Sequence, residues 1–177
     1  AQYFDFLFDE KFVRGKLGKL VLKMKTKVRL LLSKNGEVDI SATEIAGQET
    51  FDNLIALSEF KTSSKDPFLF HKTTNRKLYD EEYNKYKERG FFDVIFQNEK
   101  GEITEGAISN IFIKRNGIYY TPKIECGLLD GVYRRYFINK NRNIIEGVLS
   151  KDDLIQSDEI YLTNAVRGLV KAKLNYL

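Results

Sequence analysis

Phe68-Leu69-Phe70-His71-Lys72-Thr73-Thr74-Asn75-Arg76 is the stretch on which the reading of this chain turns. An apolar run delivers a single lysine, a polar Thr-Thr-Asn-Arg turn follows, and a charged, tyrosine-rich segment comes next. The apolar run reads as a buried strand. A lysine at the end of such a strand suits covalent chemistry at its amine, because desolvation lowers the ammonium pKa and frees Nζ as nucleophile and base. The ordinary meaning of a lysine is a solvated surface residue, so the rest of the chain must decide. His71, the only histidine, points to the face opposite Lys72 on alternating strand geometry and reads as structural.

The composition narrows the classes. Hydrophobic residues make up 42% of the 177, enough to bury a core and to exclude a disordered chain. The net charge of +4 comes from dense, interleaved charges of both signs. Lys16, Lys19, Lys23, Lys25 and Lys27 alternate with apolar residues, the pattern of a solvated face rather than of a nucleic-acid footprint. The lone Cys126 forms no internal disulfide, reads as an inert thiol and fits a reducing compartment. No apolar run approaches membrane-spanning length, and no signal-peptide pattern opens the chain. The expectation is a cytoplasmic protein with no nucleic-acid or membrane partner.

Outward from Lys72, the chain divides into two blocks at a polar linker, residues 63–67, which carries one of the two prolines. Before it, residues 1–62 read as a small N-terminal α+β domain. Asp9 caps a helix running through Lys19, Asn35-Gly36 joins two strands as a hairpin, and a third strand over 53–61 completes a meander. After it, residues 68–177 form the larger domain. A helix over 76–89 ends at Gly90 and carries Tyr79, Tyr83 and Tyr86 on one face. Strands follow over 91–96 and 103–114, and Asn116-Gly117 turns the chain back through 118–122. A helix starts after Gly131, a strand covers 144–149, residues 151–156 make a helical turn, and 159–163 and 168–174 form the last strand pair.

Three further pieces of this second block make chemical sense beside Lys72. Thr104-Glu105-Gly106-Ala107-Ile108-Ser109-Asn110-Ile111-Phe112 sets an acid inside an apolar strand. A pyridoxal phosphate ring needs a carboxylate beside its pyridine nitrogen to act as an electron sink, and Glu105 meets that need. Gly127-Leu128-Leu129-Asp130-Gly131-Val132-Tyr133-Arg134 opens a helix with glycine-rich backbone, offering N–H groups and a positive dipole end to a phosphate. Tyr161-Leu162-Thr163-Asn164-Ala165-Val166-Arg167-Gly168 ends a strand in small polar residues suited to the same phosphate. Alone, each of these last two is more commonly an ordinary helix start or turn.

In this order, the four pieces resemble the fold-type IV (class IV) pyridoxal-phosphate-dependent aminotransferase and lyase family. That family includes branched-chain aminotransferase, D-amino-acid aminotransferase and aminodeoxychorismate lyase. The Lys-Thr-Thr-Asn-Arg form with Tyr79 following, the Leu-Leu-Asp-Gly-Val-Tyr-Arg run and Thr-Asn-Ala-Val-Arg-Gly look most like aminodeoxychorismate lyase, or the lyase domain fused to aminodeoxychorismate synthase. The resemblance implies an α+β, two-domain fold of the D-amino-acid-aminotransferase type, with a β-barrel-like mixed sheet and helices in the larger domain. It implies pyridoxal 5'-phosphate on Lys72 as the catalytic residue, with Glu105 at the ring nitrogen. Ser109 and Asn110 would lie beside the cofactor, with Val132, Tyr133, Asn164 and Ala165 at the phosphate. Arg76 and Arg167 would meet a substrate carboxylate or form structural ion pairs. No metal is implied.

The implied reaction converts 4-amino-4-deoxychorismate to 4-aminobenzoate and pyruvate, a step of folate biosynthesis. The alternatives are a class IV aminotransferase acting on branched-chain or D-amino acids, and a degenerate or truncated module without cofactor. The resemblance also implies a homodimer, and fusion to or cooperation with an aminodeoxychorismate synthase. Family members begin with a strand and a phosphate-clamping arginine helix that have no counterpart before Tyr3-Phe4-Asp5-Phe6. The expectation is therefore a chain truncated at its start.

Overall fold

A computed structural model of the protein describes residues 1–45 and 53–175. The chain divides into two compact units, residues 1–50 and 51–177. In the first, helix α1 (Glu10–Gly18) is capped by Asp9, whose side chain accepts from Phe12 N at 2.9 Å. Strands β1 (Thr26–Leu32) and β2 (Val38–Glu44) pair antiparallel across the Asn35-Gly36 turn, with Leu30 opposite Ile40. Lys16 Nζ ties the helix to the hairpin by donating to Val38 O at 3.2 Å.

The expected third strand of this meander belongs elsewhere. Strand β3 (Leu54–Thr62) lies in the sheet of the second unit, and the division falls between Thr50 and Phe51 rather than at residues 63–67. The reason is apolar content on both faces. Ile55 and Ala56, adjacent and therefore on opposite faces, are both buried, which demands a central strand with cover on each side.

The second unit holds β4 (Asp93–Asn98), β5 (Ile103–Gly106), β6 (Asn110–Arg115), β7 (Ile118–Pro122), β8 (Ile144–Gly147), β9 (Glu159–Asn164) and β10 (Gly168–Leu174). With β3 they form one mixed sheet in the order β5-β4-β3-β10-β9-β6-β7-β8. The β3/β4, β3/β10 and β7/β8 pairs are parallel, and the others are antiparallel. The sheet curls until its ends meet, Ile103 N on β5 donating to Leu149 O just beyond β8 at 2.7 Å. One face buries Ile55, Ile95, Ile103, Ile111, Ile113, Leu162 and Val170. On the other face Ala56, Val94 and Phe96 pack beneath helix α2 (Lys77–Glu88) through Tyr79 and Tyr86, with Tyr83 partly buried at the edge. Helix α3 (Val132–Lys140) packs through Phe137 on Phe112 and Tyr119, with ring centroids 5.2 and 5.3 Å apart. A short helix α4 (Lys151–Ile155) starts at a Ser150/Asp153 capping box.

Two sequence expectations around the candidate site change. Phe68-Leu69-Phe70 is not a strand but part of a 3-10 turn, Pro67–Phe70. Asp66 accepts from Phe68 N at 2.9 Å and proline fixes the first φ, so a local cap outweighs the apolar run. His71 follows in extended conformation, and the alternation argument made for it has no strand to rest on. The strand expected over 103–114 is broken at residues 107–109 into β5 and β6.

Asn98 joins the β4–β5 turn to the segment before α3. Fully buried, it donates to Cys126 O at 3.0 Å and Glu102 Oε2 at 2.6 Å, and accepts from Lys100 N and Glu102 N, both at 3.0 Å. Asn98→Ala strands a buried carbonyl and two N–H groups. Chemical denaturation of the variant is expected to show a loss of about 2–4 kcal/mol.

Candidate active site

The break between β5 and β6 creates the site. Asp93, at the start of β4, is 1% exposed. Its carboxylate accepts from Ser109 Oγ, from Ile108 N at 3.3 and 3.4 Å, and from Val94 N at 2.8 Å. A β-carbon at position 106 would overlap Asp93 Oδ2, so the close approach requires Gly106. The backbone thereby turns away from β4. Glu105 lies just before the bend and Asn110 just after it.

Glu105 is 5% exposed. Its Oε2 accepts from Leu129 N and Asn110 Nδ2, both at 3.2 Å. Asn110 Nδ2 also donates to Leu129 O at 2.7 Å, clamping the 127–131 loop to the strand. Burial pushes the Glu105 carboxyl up to about 8, against the opposing pull of Arg76, the Leu129 N–H, Lys72 and Tyr79. Arg76 donates to Ala107 O and lies with its guanidinium 4.8 Å from the Tyr79 ring centre. The Tyr79 hydroxyl is buried and directed at the Glu105 carboxyl. Burial, then the charge of Glu105, raises its pKa well above the phenol range. Lys72 stands between the 3-10 turn and α2, exposed, and close enough for its charge to act on Glu105. Lys72 therefore does not end a buried strand, as the apolar run before it suggests.

A second cluster forms at the start of α3. Gly131 is the N-cap, with no side chain capping the helix, so the first backbone N–H groups, including those of Val132 and Tyr133, point out of the helix end. A β-carbon at position 131 would overlap Asn110 Oδ1, which brings this helix end against the Glu105 cluster. Arg134, 2% exposed, anchors the turn from below through Asp130 Oδ1 at 2.9 Å, Pro122 O at 2.9 Å and Glu146. Tyr133 packs against Gly168, its hydroxyl 3.3 Å from where a β-carbon would stand, so the helix start and the β9–β10 turn are neighbours. Thr163 pairs opposite Asn110 and shares its face, and the Thr163 hydroxyl is buried without a partner.

The structure thus brings together Lys72, Arg76, Glu105 and Asn110 on one side and Val132, Tyr133 and the turn bearing Ala165 on the other. The side chains of other expected site residues make structural contacts of their own. Ser109 serves Asp93. Asn164 Oδ1 accepts from Val166 N and Arg167 N, and its Nδ2 donates to Ile108 O at 3.3 Å, which shapes the turn. Arg167 lies over the Phe92 ring at 5.1 Å, its charge felt by Tyr83. Cys126 is buried, its thiol pushed up to about 11, first by burial. The Thr163 hydroxyl belongs to the polar strand end expected at the phosphate, whereas Asp93 and the Tyr79 hydroxyl are site groups that the sequence does not mark. Asp93 lies among apolar residues of the strand expected over 91–96, and its partners lie 15 and 16 residues away. No cluster of side chains suited to a metal occurs among the described residues.

The state of Glu105 has a thermodynamic signature in the free protein. A carboxyl whose folded pKa is raised binds more protons folded than unfolded, so its contribution to stability falls as pH rises from about 4.5 to about 8 and then levels off. Glu105→Gln removes that dependence. Thermal melts across this range are expected to show the variant gaining on the parent by roughly 5–10 °C as the pH is raised.

Residues 1–174 match the family described as Amino-transferase class IV. A Schizosaccharomyces pombe protein named "Putative aminodeoxychorismate lyase" is 32% identical over 177 residues, covering 93% of this chain and 74% of that protein. The Bacillus subtilis protein named "Aminodeoxychorismate lyase" is 38% identical over 80 residues, which span 43% of this chain and only 27% of its relative. The crystal structure of a Mesorhizobium loti protein named "Putative amino-acid aminotransferase" superposes with a TM-score of 0.91 at 30% identity, covering 98% of this chain and 86% of that one. With the curled mixed sheet and the buried Glu105 already described, these matches show that the chain belongs to the class IV aminotransferase family.

Proposed function

We propose that this chain binds pyridoxal 5'-phosphate and acts as an aminodeoxychorismate lyase, releasing 4-aminobenzoate and pyruvate from 4-amino-4-deoxychorismate. The observation that carries the cofactor reading is Glu105. A buried carboxylate held up to about 8 by burial is costly in an empty protein, and a protonated ring nitrogen beside it would return it to the anionic state. The orphaned Thr163 hydroxyl and the uncapped start of α3 offer complementary donors to a phosphate.

When bound, the cofactor supplies an electron sink for charge left on a substrate carbon after deprotonation. The chain's own residues supply the rest. Lys72 Nζ would hold the cofactor and would take the proton from the ring carbon bearing nitrogen. Glu105 would keep the ring nitrogen protonated, and Asn110 with the Leu129 N–H fixes that carboxylate in place. Val132, Tyr133, Asn164 and Ala165 would offer backbone N–H groups to the phosphate. Arg76, beside Glu105, offers a cation to a substrate carboxylate. Departure of the enolpyruvyl oxygen with the C–O electron pair breaks the ring C–O bond, aromatises the ring, and leaves an enolate that takes up a proton at its methylene carbon to give pyruvate.

The Lys72–Arg76 segment and the 32% identity to the fission-yeast protein favour the lyase. The near-complete superposition on the Mesorhizobium protein favours an aminotransferase as the second reading. Acting as homodimer, working with an aminodeoxychorismate synthase, and residing in the cytoplasm belong to this same proposal; among the described residues no helix is long and apolar enough to cross a membrane.

Incubation with 4-amino-4-deoxychorismate and pyridoxal phosphate, without any 2-oxo acid, is expected to release 4-aminobenzoate and pyruvate in equal amounts. Turnover only in the presence of an amino acceptor defeats the lyase reading. Lys72→Ala is expected to lower the rate at least about 10²–10⁴-fold, since it removes the general base as well as the attachment point.

A further inference from the structure

The pieces of the site come from distant parts of the chain, and they meet at four residues. Arg76, from the Lys72 segment, donates to Ala107 O. Asn164, from the β9–β10 turn, donates to Ile108 O. Glu105 enters the bend and Asn110 leaves it, carrying the Leu129 loop. Beside Arg76 and Asn164, which grip its carbonyls, Asp93 holds this bend through its donors, Ser109 Oγ and Ile108 N.

The chemistry of that contact is one-sided. Ile108 N–H, Val94 N–H and the Ser109 hydroxyl all aim protons at Asp93. A carboxylate answers with acceptors only, whereas an amide of the same shape sets its own N–H₂ against these donors. A buried anion with neutral partners is expensive, and apolar or neutral packing would close an ordinary turn at lower cost. Gly106 is matched to it, since a β-carbon there would occupy the place of Asp93 Oδ2.

We propose that Asp93 is a positioning residue of the active site: by fixing the Gly106–Ser109 bend it sets where the Glu105 carboxylate and the Asn110 amide stand. This rests on the reading of Glu105 as the partner of the cofactor's ring nitrogen. Asp93 acts through the backbone of the bend and through Ser109. The groups that face Glu105 are Arg76, Lys72, Tyr79, Asn110 and the Leu129 N–H. Those that face Asp93 are Ser109 and the Val94, Ile108 and Ala107 N–H groups, and its charge is felt by Tyr83.

The test uses the full chain and reads the titration of Glu105 without cofactor. The melting-temperature difference between each protein and its own E105Q derivative is followed from pH 4.5 to 9, and the pH at which it levels off reports the folded Glu105. In the D93N background this point is expected to move down by about one unit or more, because a displaced carboxylate regains solvent. D93E is expected to restore part of the shift. S109A removes one hydrogen bond to Asp93 and is expected to move the point in the same direction by less; it serves if D93N does not fold. A lower melting temperature with an unmoved levelling point, in D93N or in S109A, overturns the proposal and leaves Asp93 a general stabiliser. In parallel, pyridoxal phosphate titration of the parent and D93N follows the bound-cofactor absorbance near about 410–430 nm. Its weakening or shift in D93N alone supports the proposal, and an unchanged band and affinity overturn it. Its absence in the parent defeats the cofactor reading, while the cofactor-free titration still decides the role of Asp93.

Discussion

A single buried carboxylate that accepts from the backbone and from a serine hydroxyl separates this sheet from an uninterrupted one. Without Asp93, residues 103–114 have the apolar content to run on as one strand, as their sequence suggests. With it, the chain bends at 107–109, β5 pairs with β4, β6 is freed to pair with β9, and an acid and an amide are left on either side of a corner. Burial pushes the Asp93 carboxyl itself up to about 6, against the pull of its donors. The protein therefore carries two buried acids, Asp93 and Glu105, within one short stretch of sheet. The first shapes backbone, and the second faces cations.

Most of the secondary structure was legible because its signals are local. Asn116-Gly117 has positive φ at both positions, 51° and 79°, as its hairpin needs. Asp9 and Gly90 mark helix ends by short-range chemistry. What failed was non-local or competed with a stronger local rule. Strand β3 escapes a local reading because its neighbours, β4 and β10, lie far off in sequence. The Phe-Leu-Phe run looks like a strand because periodicity hides a cap set by Asp66 and Pro67. In the site, Glu105 stands out as an acid among apolar residues, the Gly131 helix start by its glycines, and the strand end at Thr163 by its small polar residues. Asp93 carries no such mark, since its meaning depends on the bend that lies beside it.

The two sides of the site differ in how they would hold an anion or a cation. Around Glu105, charge dominates: a buried acid with Arg76 and Lys72 acting on it. At the α3 start, backbone geometry dominates, braced by the buried Arg134 through Asp130, Pro122 and Glu146. Arg134 thus spends its charge on keeping a turn in shape. Both readings of the function, lyase and aminotransferase, draw on these two features, and the proposal of a lyase draws in addition on the residues after Lys72, where Thr73, Thr74 and Arg76 stand.

The pairing of β3 with β10 sets an order of events in time. Lys173 and Leu174 lie beside Leu54 and Ile55 in parallel register, across more than a hundred residues of chain. Parallel, long-range pairings are slow to form, because loop closure must precede the reward of contact. During synthesis β3 can pair with β4 as soon as residues 93–98 emerge, but its other edge stays open until residues 168–174 are made. That interval exposes an apolar strand edge to other chains, the condition under which nascent proteins aggregate and recruit chaperones. The β9–β10 turn, which meets the start of α3 where Tyr133 packs on Gly168, belongs to the same late segment. The strand that closes the sheet therefore also brings in one edge of the candidate site.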